Sequence, residues 1–139
     1  MTDLPKPQDL RIRKTFGSTR VFQMRIAGLA FRDGHVLVHR AVHETFWTFP
    51  GGRAEMGETS EQTLKREMME ELGVEATIGP LLWLVENFFR YENKDWHELG
   101  FYYRIELPSR FPFHPTEIVH RVQDEHELEF KWVPATTAA

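Results

Sequence analysis

Residues 51–74 read GGRAEMGETSEQTLKREMMEELGV, and the fold turns on this stretch. Gly51 and Gly52 follow Pro50 and break the segment before them, and Gly57 closes a polar loop. Thr59 is a good N-cap, and Gln62, three residues on, completes a capping box. The pattern predicts a helix from about Ser60 to Leu72, stopped by a left-handed residue at Gly73. On a helical wheel Leu64, Met68 and Leu72 form one apolar stripe. Glu67, Glu70 and Glu71 share an adjacent arc of about 100°.

Three carboxylates so close repel one another and cost helix stability. A hard divalent cation would offset that cost, because Mg²⁺ and Mn²⁺ prefer oxygen ligands. Arg66 lies one turn before Glu70, where it can hold that carboxylate or screen the cluster. The preceding loop adds Glu58, close-approach glycines and backbone amides at a helix N-terminus, a setting favourable to phosphate. Together these suit hydrolysis of a phosphoanhydride, in which a cation polarises the bond and neutralises charge. The plainer alternative is a solvated acidic face on an ordinary amphipathic helix.

Working outward, RVFQMRIAGLAF (20–31) reads as a strand, Asp33-Gly34 as a hairpin turn and HVLVHR (35–40) as the return strand. A loop over 41–45 and a short strand FWTF (46–49) lead into the glycines. After the helix, residues 74–89 are extended, YENKD is a turn and WHELGFYYRIEL (96–107) is another strand. Pro108, Pro112 and Pro115 mark a loop, and TEIVHRVQDEHE (116–127) is open between loop and short helix. LEFKWV (128–133) reads as a last strand. Residues 1–19 look like a loose polar lead-in, and 20–139 like a single domain without internal repeats. Several strands around one helix imply a mixed-sheet α/β (α+β) protein.

The chain has 139 residues, 41% hydrophobic and 27% charged, with a formal net charge of −4 and no cysteine. That is enough for one well-formed core. Disulfides, zinc-thiolate sites and thiol nucleophiles are excluded. The charge balance does not suggest a grip on long nucleic acid. No signal peptide or membrane-length apolar run is present, so a soluble, cytoplasmic protein with no membrane partner is expected.

The whole segment resembles the Nudix box, G-x5-E-x7-R-E-U-x-E-E-x-G-U, where U is bulky and apolar. Gly52, Glu58, Arg66, Glu67, Met68, Glu70, Glu71, Gly73 and Val74 fill every specified position without a gap. The resemblance implies a Nudix-like mixed β-sheet sandwich and cleavage of a pyrophosphate linkage in a nucleoside di- or triphosphate derivative. It implies Mg²⁺, with Mn²⁺ as substitute, held by Glu67, Glu70 and Glu71, with the carbonyl of Gly51 or Gly52 and the side chain of Glu58 as further ligands. Arg66 would orient the glutamates. Gly52, Arg53 and Arg40 are candidates for contact with substrate.

The family often takes its general base from outside the box. Glu125 and Glu127, in a polar loop before the last strand, are favoured over Glu98; activation by the box glutamates and metal is the alternative. Seven histidines suggest no zinc site, since His97-Glu98 lacks the spacing of an HExxH motif. Among many aromatics, Phe88, Phe89 and Tyr91 are the candidates to stack on a base. Family members commonly end in a second helix, which here is expected to be short or absent; an uncovered sheet face would suit a homodimer. The competing function is a nucleotide-sensing domain that binds without cutting, although such domains typically lose box glutamates.

Overall fold

A computed structural model of the chain describes residues 8–123 and 126–136. The strands are β1 (Arg13–Phe16), β2 (Arg20–Arg32), β3 (His35–Ala41), β4 (Gly51–Arg53), β5 (Thr77–Tyr91), β6 (Lys94–Glu106), β7 (Ile118–Gln123) and β8 (Glu127–Pro134). The one helix among the described residues is α1 (Ser60–Leu72). No described helix is long and apolar enough to cross a membrane.

Strand order is β5-β6-β2-β3-β8-β7, with β1 and β4 also paired to β2. The long β2 runs parallel to β6 from Arg20↔Asp95 to Ala30↔Ile105. It meets β3 only at the hairpin, through Phe31↔Val36 and Arg32↔His35. Beyond that point β3 leaves β2 and pairs with β8, so the mixed sheet opens into two leaves. Asp33 and Gly34 have φ of 49° and 74°, and Glu92 and Asn93 have φ of 50° and 60°. Both hairpins thus close through two left-handed residues, whose twist matches that of the strands.

The helix forms as its sequence predicts. Thr59 accepts from the Gln62 amide while the Gln62 side chain accepts from the Thr59 amide. Gly73 stops the helix at φ 67° and donates to the Met69 carbonyl. Leu64, Met68 and Leu72 are buried against Ile26, Leu37, Ile105, Phe130 and Trp132 between the leaves. Each such side chain contributes about 1.5–3 kcal/mol of apolar burial, which fixes the roll of α1 and hence the direction of its acidic face.

Four expectations need correction. The lead-in is not loose throughout: β1 pairs with β2, and the Ile12 amide donates to the Ala54 carbonyl at 2.7 Å. FWTF is no strand; Thr48 makes a single bridge to His39, and strand pairing begins at Gly51. There the glycines let β4 lie against β2: a Cβ on Gly51 would stand 2.0 Å from the Ile26 carbonyl oxygen. Residues 118–123 form strand β7 rather than loop or helix, because Ile118, Val119 and Val122 favour a pleated, half-buried edge beside β8. The glycine loop opening at 51 is in part a strand, β4.

Candidate active site

The acidic face of α1 opens onto a cavity of about 1060 Å³. Its wall holds Glu67, Glu70 and Glu71 from α1, Gly51, Gly52 and Arg53 from β4, and Glu55 and Arg66. The floor is the face of β5, β6 and β2. By strand alternation it presents Asn87 and Phe89, Glu98 and Tyr102, and Gln23 and Arg25.

Arg66 organises the acidic end. Its Nε donates to Glu58 Oε2 at 2.7 Å and its Nη2 to Glu58 Oε1 at 2.9 Å, a two-pronged pair. Nη1 donates to Glu67 Oε1 at 2.9 Å and lies 3.4 Å from Glu70, while Nη2 is 3.1 Å from Glu55. These bonds raise the guanidinium's already high pKa. The same bonds from Arg66, helped by the Thr63 hydroxyl, hold the Glu58 carboxyl below its usual range.

Glu67 and Glu71 are buried, and Glu70 is half exposed. Gly52 leaves room for Glu67, since a Cβ there would stand 2.2 Å from the Glu67 Cδ. His39 Nδ1 sits 4.0 Å from Glu71 Oε2 and makes no hydrogen bond. Burial, reinforced by Arg25, lowers the His39 pKa to about 3, so the imidazole is neutral near pH 7. His120 Nε2 lies 2.8 Å from the Glu71 carbonyl and ties β7 to the helix.

The donors here are oxygens of carboxylates, two of them buried, which fits a hard divalent cation. Among the described residues no three acidic or histidine groups are gathered into a ready-made cage. The Arg66 guanidinium bridges Glu67 and Glu70 instead, supplying the positive charge at that point.

The structure therefore brings Gly51, Gly52, Arg53, Arg66, Glu67, Glu70, Glu71, Glu98 and Tyr91 to one cavity. Glu58 is turned to Arg66 and does not line it. Arg40 donates to Glu129 at 2.8 Å and is not among the lining residues. Phe88 is 68% exposed on the opposite face of β5, where it packs on His97, while its neighbour Phe89 faces the cavity. Glu127 is exposed outside the cavity, and Glu125 lies outside the described residues. Sequence reasoning missed Gln23, Arg25, Asn87 and Tyr102. Gln23 and Arg25 carried a signal, two polar side chains on one face of an otherwise apolar strand.

An acidic helix laid between two leaves of a mixed sheet, beside a cavity floored by that sheet, is the Nudix-like α/β architecture. The chain belongs to the NUDIX domain family, which it matches over residues 22–139. It is 40% identical over 58 residues to a CTP pyrophosphohydrolase of Escherichia coli K12, an alignment covering 39% of this chain and 43% of that protein. It is 50% identical over 44 residues to an 8-oxo-dGTP diphosphatase of Proteus vulgaris, covering 32% and 39%. The matched part is thus under half the length of these curated relatives. A MutT NUDIX hydrolase from Burkholderia pseudomallei shares the fold with a TM-score of 0.54 at 21% identity, over 81% of this chain and 83% of that one.

Proposed function

We propose that the protein is a divalent-metal-dependent pyrophosphohydrolase that cleaves a phosphoanhydride bond of a nucleoside triphosphate or related derivative by attack of water. The observation that carries this reading is the burial of Glu67 and Glu71, with Glu70 beside them, at one end of a cavity large enough for a nucleotide. The names of the relatives, which act on CTP and 8-oxo-dGTP, support a nucleoside triphosphate as substrate.

In this reading Glu67, Glu70 and Glu71 hold Mg²⁺, or Mn²⁺ in its place. The ion, when bound, polarises the phosphoryl oxygens and offsets their charge. Arg66 keeps the carboxylates in place, and Glu58 anchors Arg66 rather than ligating the ion. Arg53 and Arg25 supply positive charge along the cavity towards the phosphates. Water adds to one phosphorus as the bridging oxygen departs with the bonding pair, and a box carboxylate takes the water's proton. Neither Glu127 nor Arg40 is needed for these steps.

The test is incubation of the purified chain, with Mg²⁺ and separately with Mn²⁺, with a panel of nucleoside triphosphates, nucleotide sugars and dinucleoside polyphosphates, with release of pyrophosphate or mononucleotide as readout. Turnover that disappears in Glu70→Gln and Glu71→Gln, with unchanged circular dichroism, is the expected result. No turnover of any member with either metal, alongside nucleotide binding, would favour a sensor.

A further inference from the structure

The cavity contains a further carboxylate, remote in sequence from the box. Glu98 is only 5% exposed, on the floor of the cavity rather than on α1. Its orientation is determined by its neighbours. Arg53 Nε donates to Gln23 Oε1 at 2.7 Å, so the amide nitrogen of Gln23 must face the other way. There it donates to Glu98 Oε1, also at 2.7 Å. A carboxylate oxygen has more than one acceptor site, so this bond leaves Glu98 able to accept from a ligand.

The surroundings suit a flat ring. Glu98 stands opposite Asn87 on β5 and Gln23 on β2, a polar row across three strands. About 7 Å to one side, Phe89 and Trp96 stack with ring planes 7° apart. On the other side is Gly100, and Tyr102 lies over it: a Cβ on Gly100 would stand 2.8 Å from Tyr102 Cε2 and 3.2 Å from its hydroxyl. The missing side chain lets the tyrosine ring settle against the sheet beside Glu98, between Phe49 and Trp83.

We propose that Glu98 is a specificity-determining residue that reads the nucleobase, and that the site prefers guanine-type bases; this rests on the nucleotide-hydrolase reading above. A buried carboxylate offers two acceptors side by side. Guanine presents N1–H and the N2 amine on one edge, both pointing the same way, and pairs with it in two-pronged fashion. Adenine and cytosine place a ring-nitrogen acceptor beside their amine, which the carboxylate repels. Uracil has one ring N–H between two carbonyls. The base rests against Tyr102, and Asn87 contributes a further polar contact at the same edge. Glu98 in this role does not serve as general base.

The experiment measures binding of the α,β-methylene analogues of GTP, ATP, CTP and UTP by quenching of Trp83 and Trp96 fluorescence, and compares hydrolysis of GTP with that of ITP, which lacks the N2 amine. The GTP analogue should bind about ten- to a hundred-fold more tightly than the others, the range of a good two-pronged contact. ITP should have a lower kcat/KM than GTP by about ten-fold. Glu98→Gln should collapse the guanine-to-adenine ratio. Equal binding of all four analogues by the unaltered protein, or equal use of GTP and ITP, overturns the proposal and leaves the hydrolase reading standing. So does a Glu98→Gln variant that keeps its base preference and loses kcat on every substrate, the signature of a general base. Absence of binding and turnover for every nucleotide overturns both.

Discussion

Gly52 passes so close beneath Glu67 that a Cβ at 52 would stand 2.2 Å from the Glu67 carboxylate carbon. Glu67 is buried and held by Arg66 at 2.9 Å, so it has little room to retreat. Gly52→Ala must therefore push the carboxylate aside. We expect turnover to fall by about a hundred-fold, the usual effect of an ångström-scale misplacement in an active site. Mn²⁺ binding followed by electron paramagnetic resonance should weaken in parallel. Full activity in Gly52→Ala would mean that Glu67 is not needed in its present position.

Arg66 is the hub of the acidic cluster, with four carboxylates within 3.4 Å of its nitrogens. Arg66→Ala leaves the buried Glu67 and the tied Glu58 without their cation. The loss should be about 2–3 kcal/mol, below the range for a fully buried pair because Arg66 is 24% exposed. Chemical denaturation gives this value. Saturating Mg²⁺ should recover part of it, since a divalent ion takes over the neutralisation. A variant that gains no stability from Mg²⁺ would count against metal binding by these glutamates.

Much of this site is readable in the sequence because helix signals are local. Thr59, Gln62 and Gly73 set the ends of α1, and the spacing of Leu64, Met68 and Leu72 sets its buried face, so the three glutamates can only point to one side. The floor of the cavity is not readable in that way. Gln23 meets Glu98 through the parallel pairing of β2 with β6, 75 residues apart, and nothing local encodes that register; Asn87 meets Glu98 within the β5–β6 hairpin. Phe88 and Phe89 illustrate the sensitivity: neighbours on a strand face opposite ways, and only the second reaches the cavity. For β7, the competing turn and charge signals of QDEHE obscured a short β-branched run.

Glu58 gives the pH dependence a definite sign. Its folded pKa is lowered from the ordinary 4.5, first by the Arg66 hydrogen bonds. A depressed carboxyl pKa contributes stability that is fully present above 4.5 and is lost as pH falls through the folded value. Glu58→Gln should therefore be less stable than the unaltered protein at pH 6, and the gap should close on acidification below pH 4.5. Urea midpoints across that range measure it. A gap that stays constant with pH would show that Glu58 is not acting through its charge.

Arg40 offers the cleanest separation of structure from chemistry. The resemblance makes it a candidate for substrate contact, yet its Nε donates to Glu129 at 2.8 Å and its guanidinium lies 4.5 Å from the centre of the Trp47 ring. Lys131 lies 4.3 Å from the same ring, so Trp47 is held by two cations. Glu129 is nearly buried, and without Arg40 its nearest remaining partner is Arg121 at 3.8 Å. Arg40→Ala should then lower stability by about 1–2 kcal/mol, from one charge-assisted hydrogen bond and one cation–π contact. Its KM should remain within about two-fold of the unaltered protein, because little transition-state or ground-state binding is removed. A KM raised ten-fold or more in a variant with native circular dichroism would place Arg40 on the substrate and require it to leave Glu129 during binding.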